Sequence, residues 1–273
     1  MPRFTTFDGI SLHYDDDGSG LPVLCLPGLT RNGRDFDYVA PHLGDVRLLR
    51  LDARGRGRSD RADPATYTVA TEARDVLSLL DHLVLGKVAI LGTSRGGLIA
   101  MVIAATAKDR LIGVCLNDIG PELDPKGIAA IRGYVGTDPG FVDLAAAAQA
   151  RAALLPEFTG VPMSRWEDEV RHNFDQTETG LRIAYDPEIA RTFSEGDAAS
   201  APDLWPLFDA CEGLPLALIR GEHSSLLSAE TTARMKARRP DMILATVPGR
   251  GHVPFLDEPE ALAALRDWIG AMQ

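Results

Sequence analysis

The sequence predicts an α/β fold: a mostly parallel sheet flanked by helices, with one helical insertion. Three observations carry this. Over the first 117 residues, short apolar runs alternate with longer stretches of helical periodicity, the pattern that builds βαβ units. The rhythm is lost after Pro121. It resumes at Leu214 and holds to the last helix.

Taken in order, residues 3–7 and 10–15 meet at Asp8-Gly9 and predict an antiparallel hairpin at the sheet edge. Residues 23–26 and 46–51 are apolar runs that end at Pro27-Gly28 and at Asp52, as buried strands do. Residues 69–85 carry Val76, Leu79, Leu80 and Leu83 at helical spacing. A strand at 88–91, an apolar helix at 96–108 and a strand at 111–116 follow. From Pro121 to about Ala201 no buried strand is evident, and four helix-like pieces (127–135, 144–154, 164–173, 187–193) are separated by turns such as Gly136-Thr137-Asp138-Pro139-Gly140. A strand at 214–220, a helix at 228–239, a strand at 242–247 and a closing helix at 259–272 complete the pattern. The expected organisation is a core of 1–120 and 202–273 with a helical cap of 121–201.

At 273 residues the chain is long enough to bury a sizeable core. Its 45% hydrophobic and 25% charged content is ordinary for a globular protein. A net charge of −11 repels phosphate backbones and anionic lipids, so neither nucleic acid nor a membrane surface is an expected partner. The three cysteines, Cys25, Cys115 and Cys211, form no CxxC pair, and a reducing compartment is the simplest setting. Residues 1–14 hold no long apolar run and no segment approaches the ~20 apolar residues of a spanning helix. A cytoplasmic location is the expectation.

The strongest local signal is Gly92-Thr93-Ser94-Arg95-Gly96-Gly97, between a predicted strand and an apolar helix. Such matches arise by chance, but this strand–turn–helix setting is what a G-x-S-x-G nucleophile elbow requires. Ser94 would sit on a strained turn, neighbouring glycines would clear space, and the Arg95 N–H at the helix start would aim where an oxyanion forms. A serine nucleophile needs a base. Of six histidines, His252 alone lies in a loop after the last predicted strand, whereas His13 and His82 fall in an edge strand and a helix. The second oxyanion donor is expected from the loop after residues 23–26. There Pro27 has no N–H, Gly28 permits close approach, and Leu29 is the natural donor.

These residues resemble the α/β-hydrolases over nearly the whole chain. Asp52-Ala53-Arg54-Gly55-Arg56-Gly57-Arg58-Ser59 is similar to that family's D-x-R-G-x-G-x-S turn, and Gly251-His252-Val253-Pro254 to its histidine loop. The resemblance implies an eight-stranded sheet and a helical cap over the cleft. One departure is Pro27-Gly28 in place of the usual His-Gly. A second concerns the triad acid, which the resemblance would place after residues 214–220 at a position that is Ser225 here. A hydroxyl cannot stabilise an imidazolium as a carboxylate does. Asp118, 24 positions beyond Ser94 (118 − 94), is the favoured replacement. Some members, zearalenone-type lactone hydrolases among them, are expected to carry the acid after this strand. Glu222 and a water- or Ser225-assisted dyad are the alternatives. Arg54, Arg56 and Arg58 read as a solvated or salt-bridged turn rather than a substrate clamp. Trp166, Trp205, Phe141, Phe158, Phe174 and Tyr134 read as cap packing, with one or two able to wall the pocket.

The expectation is therefore a serine hydrolase cleaving a small ester or lactone through an acyl-enzyme. Ser94, His252 and Asp118 would be catalytic, and the N–H groups of Leu29 and Arg95 would form the oxyanion hole. No cofactor or metal is expected. The partner is a small ester or lactone substrate, and a homodimer stays open. A C–C bond or enol-lactone hydrolase, a perhydrolase, and a ligand-binding protein with an incomplete triad are the alternatives.

Overall fold

The computed structural model describes residues 1–193 and 202–273, so the expected end of the insertion at 201 lies outside the described residues. Ten strands are described: β1 (Arg3–Thr5), β2 (Ser11–Gly18), β3 (Leu21–Leu26), β4 (Val46–Leu51), β5 (Val88–Thr93), β6 (Leu111–Asn117), β7 (Phe174–Thr177), β8 (Gly180–Ile183), β9 (Leu216–Gly221) and β10 (Ile243–Val247). Eight of them form one sheet in the order β1-β2-β4-β3-β5-β6-β9-β10. The β1–β2 and β2–β4 pairs are antiparallel and the rest parallel. The helices are α1 (Val69–His82), α2 (Arg95–Thr106), α3 (Pro125–Tyr134), α4 (Leu144–Leu154), α5 (Met163–Asn173), α6 (Trp205–Asp209), α7 (Ala229–Arg238) and α8 (Pro259–Gly270).

The central strands are apolar throughout because both faces of the sheet are covered. Side chains alternate between two cores, as the two-residue period of a strand requires. Leu24, Leu26, Ile90, Val114, Leu116 and Leu218 pack with α1 and α2 on one face. Val23, Cys25, Ala89, Leu91, Cys115, Ala217 and Ile219 pack with Leu265 and Trp268 of α8 on the other. All six residues of β5 are buried. Truncating one of its large side chains, such as Ile90→Ala, would cost about 2–5 kcal/mol. Helix α1 is fixed at its start by Thr68, whose side chain accepts the Thr71 N–H. Its apolar face lies on the sheet and also carries two buried acids, Glu72 and Asp75.

Parallel register aligns the carboxyl ends of the central strands. Leu26 pairs with Gly92, Thr93 with Asn117, and Asn117 with Ile219. The loops after β3, β5, β6 and β9 therefore open along one edge, where open α/β sheets place their ligands.

The segment between β6 and β9 contains α3, α4 and α5, and it also contains the antiparallel hairpin β7–β8. The sequence reading finds helix-like pieces and no evident buried strand here, and the hairpin adds two short strands to them. The hairpin is four residues a side, and most of the β7 face is solvated. In β8 the buried Leu181 and Ile183 are separated by the exposed Arg182, so the hairpin offers no continuous apolar run for a sequence reading to find. A local cluster of Ala147, Ala148, Phe158, Trp166, Val170 and Leu181 holds this segment together, and Phe255 from the core packs on it. Arg31 pairs with Glu169, and Arg165 with Asp257, across the seam to the core. Trp205 and Phe208 of α6 belong to the main core instead.

Candidate active site

Ser94 follows β5 directly and caps α2 at φ 50° and ψ −115°. A positive φ is strained for a residue with a side chain, and such strain is held only where the surroundings enforce it. Here the Ser94 N–H donates to the Asn117 carbonyl at 2.9 Å. The flanking glycines are sterically required. A Cβ on Gly96 would fall 2.1 Å from the Leu26 carbonyl oxygen, and one on Gly92 would fall 2.6 Å from the Gly96 backbone.

His252 Nε2 lies 3.0 Å from Ser94 Oγ, and Nδ1 lies 2.7 Å from Asp118 Oδ2. Asp118 is fully buried just beyond the end of β6 and also has a positive φ, 56°. The Gly221 N–H donates to its Oδ1 at 2.9 Å, and the Ser224 hydroxyl donates to its Oδ2 at 2.6 Å. The carboxylate thus points at the imidazole with neutral donors behind it. The histidine loop is tied down in turn. Asn117 Nδ2 donates to the Pro254 carbonyl, and Glu258 accepts the Phe255 and Leu256 N–H groups.

Other expectations resolve as follows. Glu222 is half exposed, accepts the Gly249 N–H and faces His223 rather than His252. Ser225 is exposed. The hydroxyl that meets Asp118 belongs to Ser224, one residue earlier than the sequence reading pointed, because the turn after β9 directs that side chain inward. Leu29 lies in the turn after β3, and the position of a Cβ on Gly28 would be 3.8 Å from Ser94 Cβ. Gly28, the residue before Leu29, thus lies close to Ser94, and Arg95 follows Ser94 at the start of α2. The arginine turn is not solvated at two of its three positions: Arg54 and Arg56 are buried, paired with Asp75 and Glu72, while Arg58 stays exposed. Burial pushes all three thiols up, Cys211 to about 12, so they are packing groups rather than nucleophiles. Asn117 and Ser224 were missed by the sequence reading, since neither belongs to a motif. Glu72 was missed because its helical position looked like any surface glutamate.

An imidazole held between a serine hydroxyl and a buried carboxylate can take the hydroxyl proton while the acid fixes its tautomer. Residues 23–265 match the sequence profile of the alpha/beta hydrolase family. The chain belongs to that family. It is 35% identical to a 3-hydroxybutyrate-oligomer hydrolase of Cupriavidus necator, over 92% of this chain and 88% of that one. It is 27% identical to a 2-(acetamidomethylene)succinate hydrolase of Mesorhizobium japonicum, over 96% and 92%. The crystal structure of an alpha/beta hydrolase from Novosphingobium aromaticivorans superposes with a TM-score of 0.91 at 39% identity, covering 99% of this chain and 96% of that one. The α/β-hydrolase fold with its mostly parallel eight-stranded sheet is thus established, and the chain is a hydrolase of this family. Among the described residues, no helix is long and apolar enough to cross a membrane, and no group of three or more His, Cys, Asp or Glu side chains is placed to hold a metal ion.

Proposed function

We propose that this α/β-hydrolase is a serine esterase acting on small esters, those of hydroxy acids included, or on their lactones. The observation that carries this is the single imidazole of His252, within hydrogen-bond reach of Ser94 Oγ at 3.0 Å and of Asp118 at 2.7 Å. The 3-hydroxybutyrate-oligomer hydrolase relative supports an ester of a small hydroxy acid as the substrate.

In this reading His252 Nε2 accepts the Ser94 proton as Oγ attacks the carbonyl carbon. The N–H groups of Leu29 and Arg95 donate to the oxyanion of the tetrahedral intermediate. His252 then gives its proton to the leaving alkoxide, and the acyl group stays on Ser94. A water deprotonated by His252 attacks the acyl carbon, and the acid leaves as Oγ is reprotonated. Asp118 holds Nδ1–H and stabilises the imidazolium at each proton transfer. The 121–201 segment serves as a cap that limits substrate size. Its support is the packing of Phe158 and Trp166 against Phe255 in the histidine loop.

The test is intact-mass analysis after exposure to a small fluorophosphonate. One stoichiometric adduct, absent from Ser94→Ala, is expected. A folded protein that takes up none would contradict an activated serine.

A further inference from the structure

Glu72 sits on the inner face of α1, 2% exposed. Its Oε2 accepts from Arg95 Nε at 2.6 Å, and its Oε1 accepts from Arg56 Nη1 at 2.7 Å. Each arginine also reaches a backbone carbonyl. Arg95 Nη2 donates to Tyr67 O at 2.8 Å. Arg56 Nε donates to Leu29 O, also at 2.8 Å. One carboxylate therefore ties together the two residues assigned above as the oxyanion donors. It holds Arg95 directly and Leu29 through Arg56.

These two donors belong to separate loops, one after β3 and one after β5. An oxyanion hole works only if both point at one oxygen, at about 2.7–3.1 Å. Their mutual position depends on contacts beneath the loops, and Gly28 contributes no side chain to fix it. We propose that Glu72 is a positioning residue that sets the spacing of the two oxyanion donors. This rests on the reading of Ser94 as the nucleophile.

Two further features fit. Among the described residues, Glu72 is the carboxylate paired with both Arg56 and Arg95, so two guanidinium charges meet one negative charge. The pair belongs to a buried network in which Arg54 is paired with Asp75 and Asp8, and screening by water is weak there. Burial pushes the Glu72 carboxyl up, but the two guanidiniums outweigh that and hold it below the ordinary value. Arg56 Nη2 is buried with no hydrogen-bond partner among the described residues. A residue kept only for packing would not need this arrangement.

The experiment compares wild type with Glu72→Gln, reading kcat, KM, the affinity of a trifluoromethyl ketone analogue of the ester, and inhibition by the product acid. The ketone adds Ser94 Oγ to its carbonyl and forms a tetrahedral oxyanion, whereas the product acid does not. The expected result is a fall of about 10–100-fold in kcat and in ketone affinity, with KM and product inhibition changed by less than about 3-fold. Leu80→Ala, which loosens the same helix from the core, should lower Tm and leave that split unmoved. If Glu72→Gln fails to fold, Arg56→Lys keeps a charge but loses the bond to Leu29, and the same split is expected of it. Active wild type with kcat and ketone affinity indifferent to the change would overturn the role of Glu72 alone. Wild type inert to substrate and ketone would overturn the reading of Ser94 on which it rests.

Discussion

Asp118 and Glu72 are both carboxylates buried near the elbow, one on the β6 side of Ser94 and one on the β3 side. Their partners differ in kind. Asp118 receives hydrogen bonds from neutral donors, the Gly221 N–H and the Ser224 hydroxyl, and from an imidazole. Its negative charge is left uncompensated until His252 takes a proton. Glu72 is met by two guanidiniums. In the proposed mechanism the first arrangement leaves the carboxylate free to support His252 during proton transfer, whereas the second, already matched by guanidiniums, fits the proposed role of holding backbone in place. Burial alone distinguishes nothing here, and the charge of the partners does.

The comparison can be broken at several points. The largest effect belongs to the groups that Asp118 serves. Ser94→Ala and His252→Ala should each lower kcat by about 10⁶-fold, and the double variant by no more than either, because residues acting as a unit are not additive. Stopped-flow or endpoint ester hydrolysis checks this. Additive losses would mean that the two do not act together. A much smaller effect separates the two serines after β9. Ser224→Ala removes a hydrogen bond to a charged acceptor and should lower kcat by about 10-fold. Ser225→Ala should leave kcat unchanged, since that side chain is exposed. The reverse ranking would show that the turn carries the wrong serine inward.

The smallest effect lies at the seam with the insertion. Burial, the first cause, pushes His172 on α5 down from 6.5 to about 4. A histidine with a depressed folded value contributes stability that is present above about 6.5 and lost as pH falls towards 4. Allowing for its partial exposure, the loss is on the order of 1 kcal/mol. Urea midpoints at pH 7 and pH 4.5 should converge in His172→Gln relative to wild type. An equal fall in both would remove His172 from the account.

Much of this was legible beforehand. The elbow, the histidine loop and the order of the α/β core follow from local patterns, a five-residue turn or an apolar run, that a chain segment carries by itself. Asp118 could be proposed from the resemblance to family members that carry the acid after this strand at a like separation from the serine, but its orientation depends on the φ of one residue and on a donor from β9, 103 positions away in the chain. Ser224 and Ser225 cannot be told apart without the turn that exposes one and directs the other at Asp118. The β7–β8 hairpin escaped because a strand shielded on one side leaves no continuous apolar signature. Glu72 escaped because its partners lie 16 and 23 positions away. Charge patterning on a helix reads only neighbours three or four apart.

The central claim is that Asp118, reaching in from the end of β6, is the acid of the triad. The direct test is the kcat of Asp118→Asn on a short-chain ester, with the circular dichroism spectrum and Tm confirming the fold. The account predicts a loss of about 10⁴-fold, because an amide leaves His252 in the wrong tautomer and its imidazolium unsupported. A folded Asp118→Asn enzyme with kcat close to wild type would contradict it.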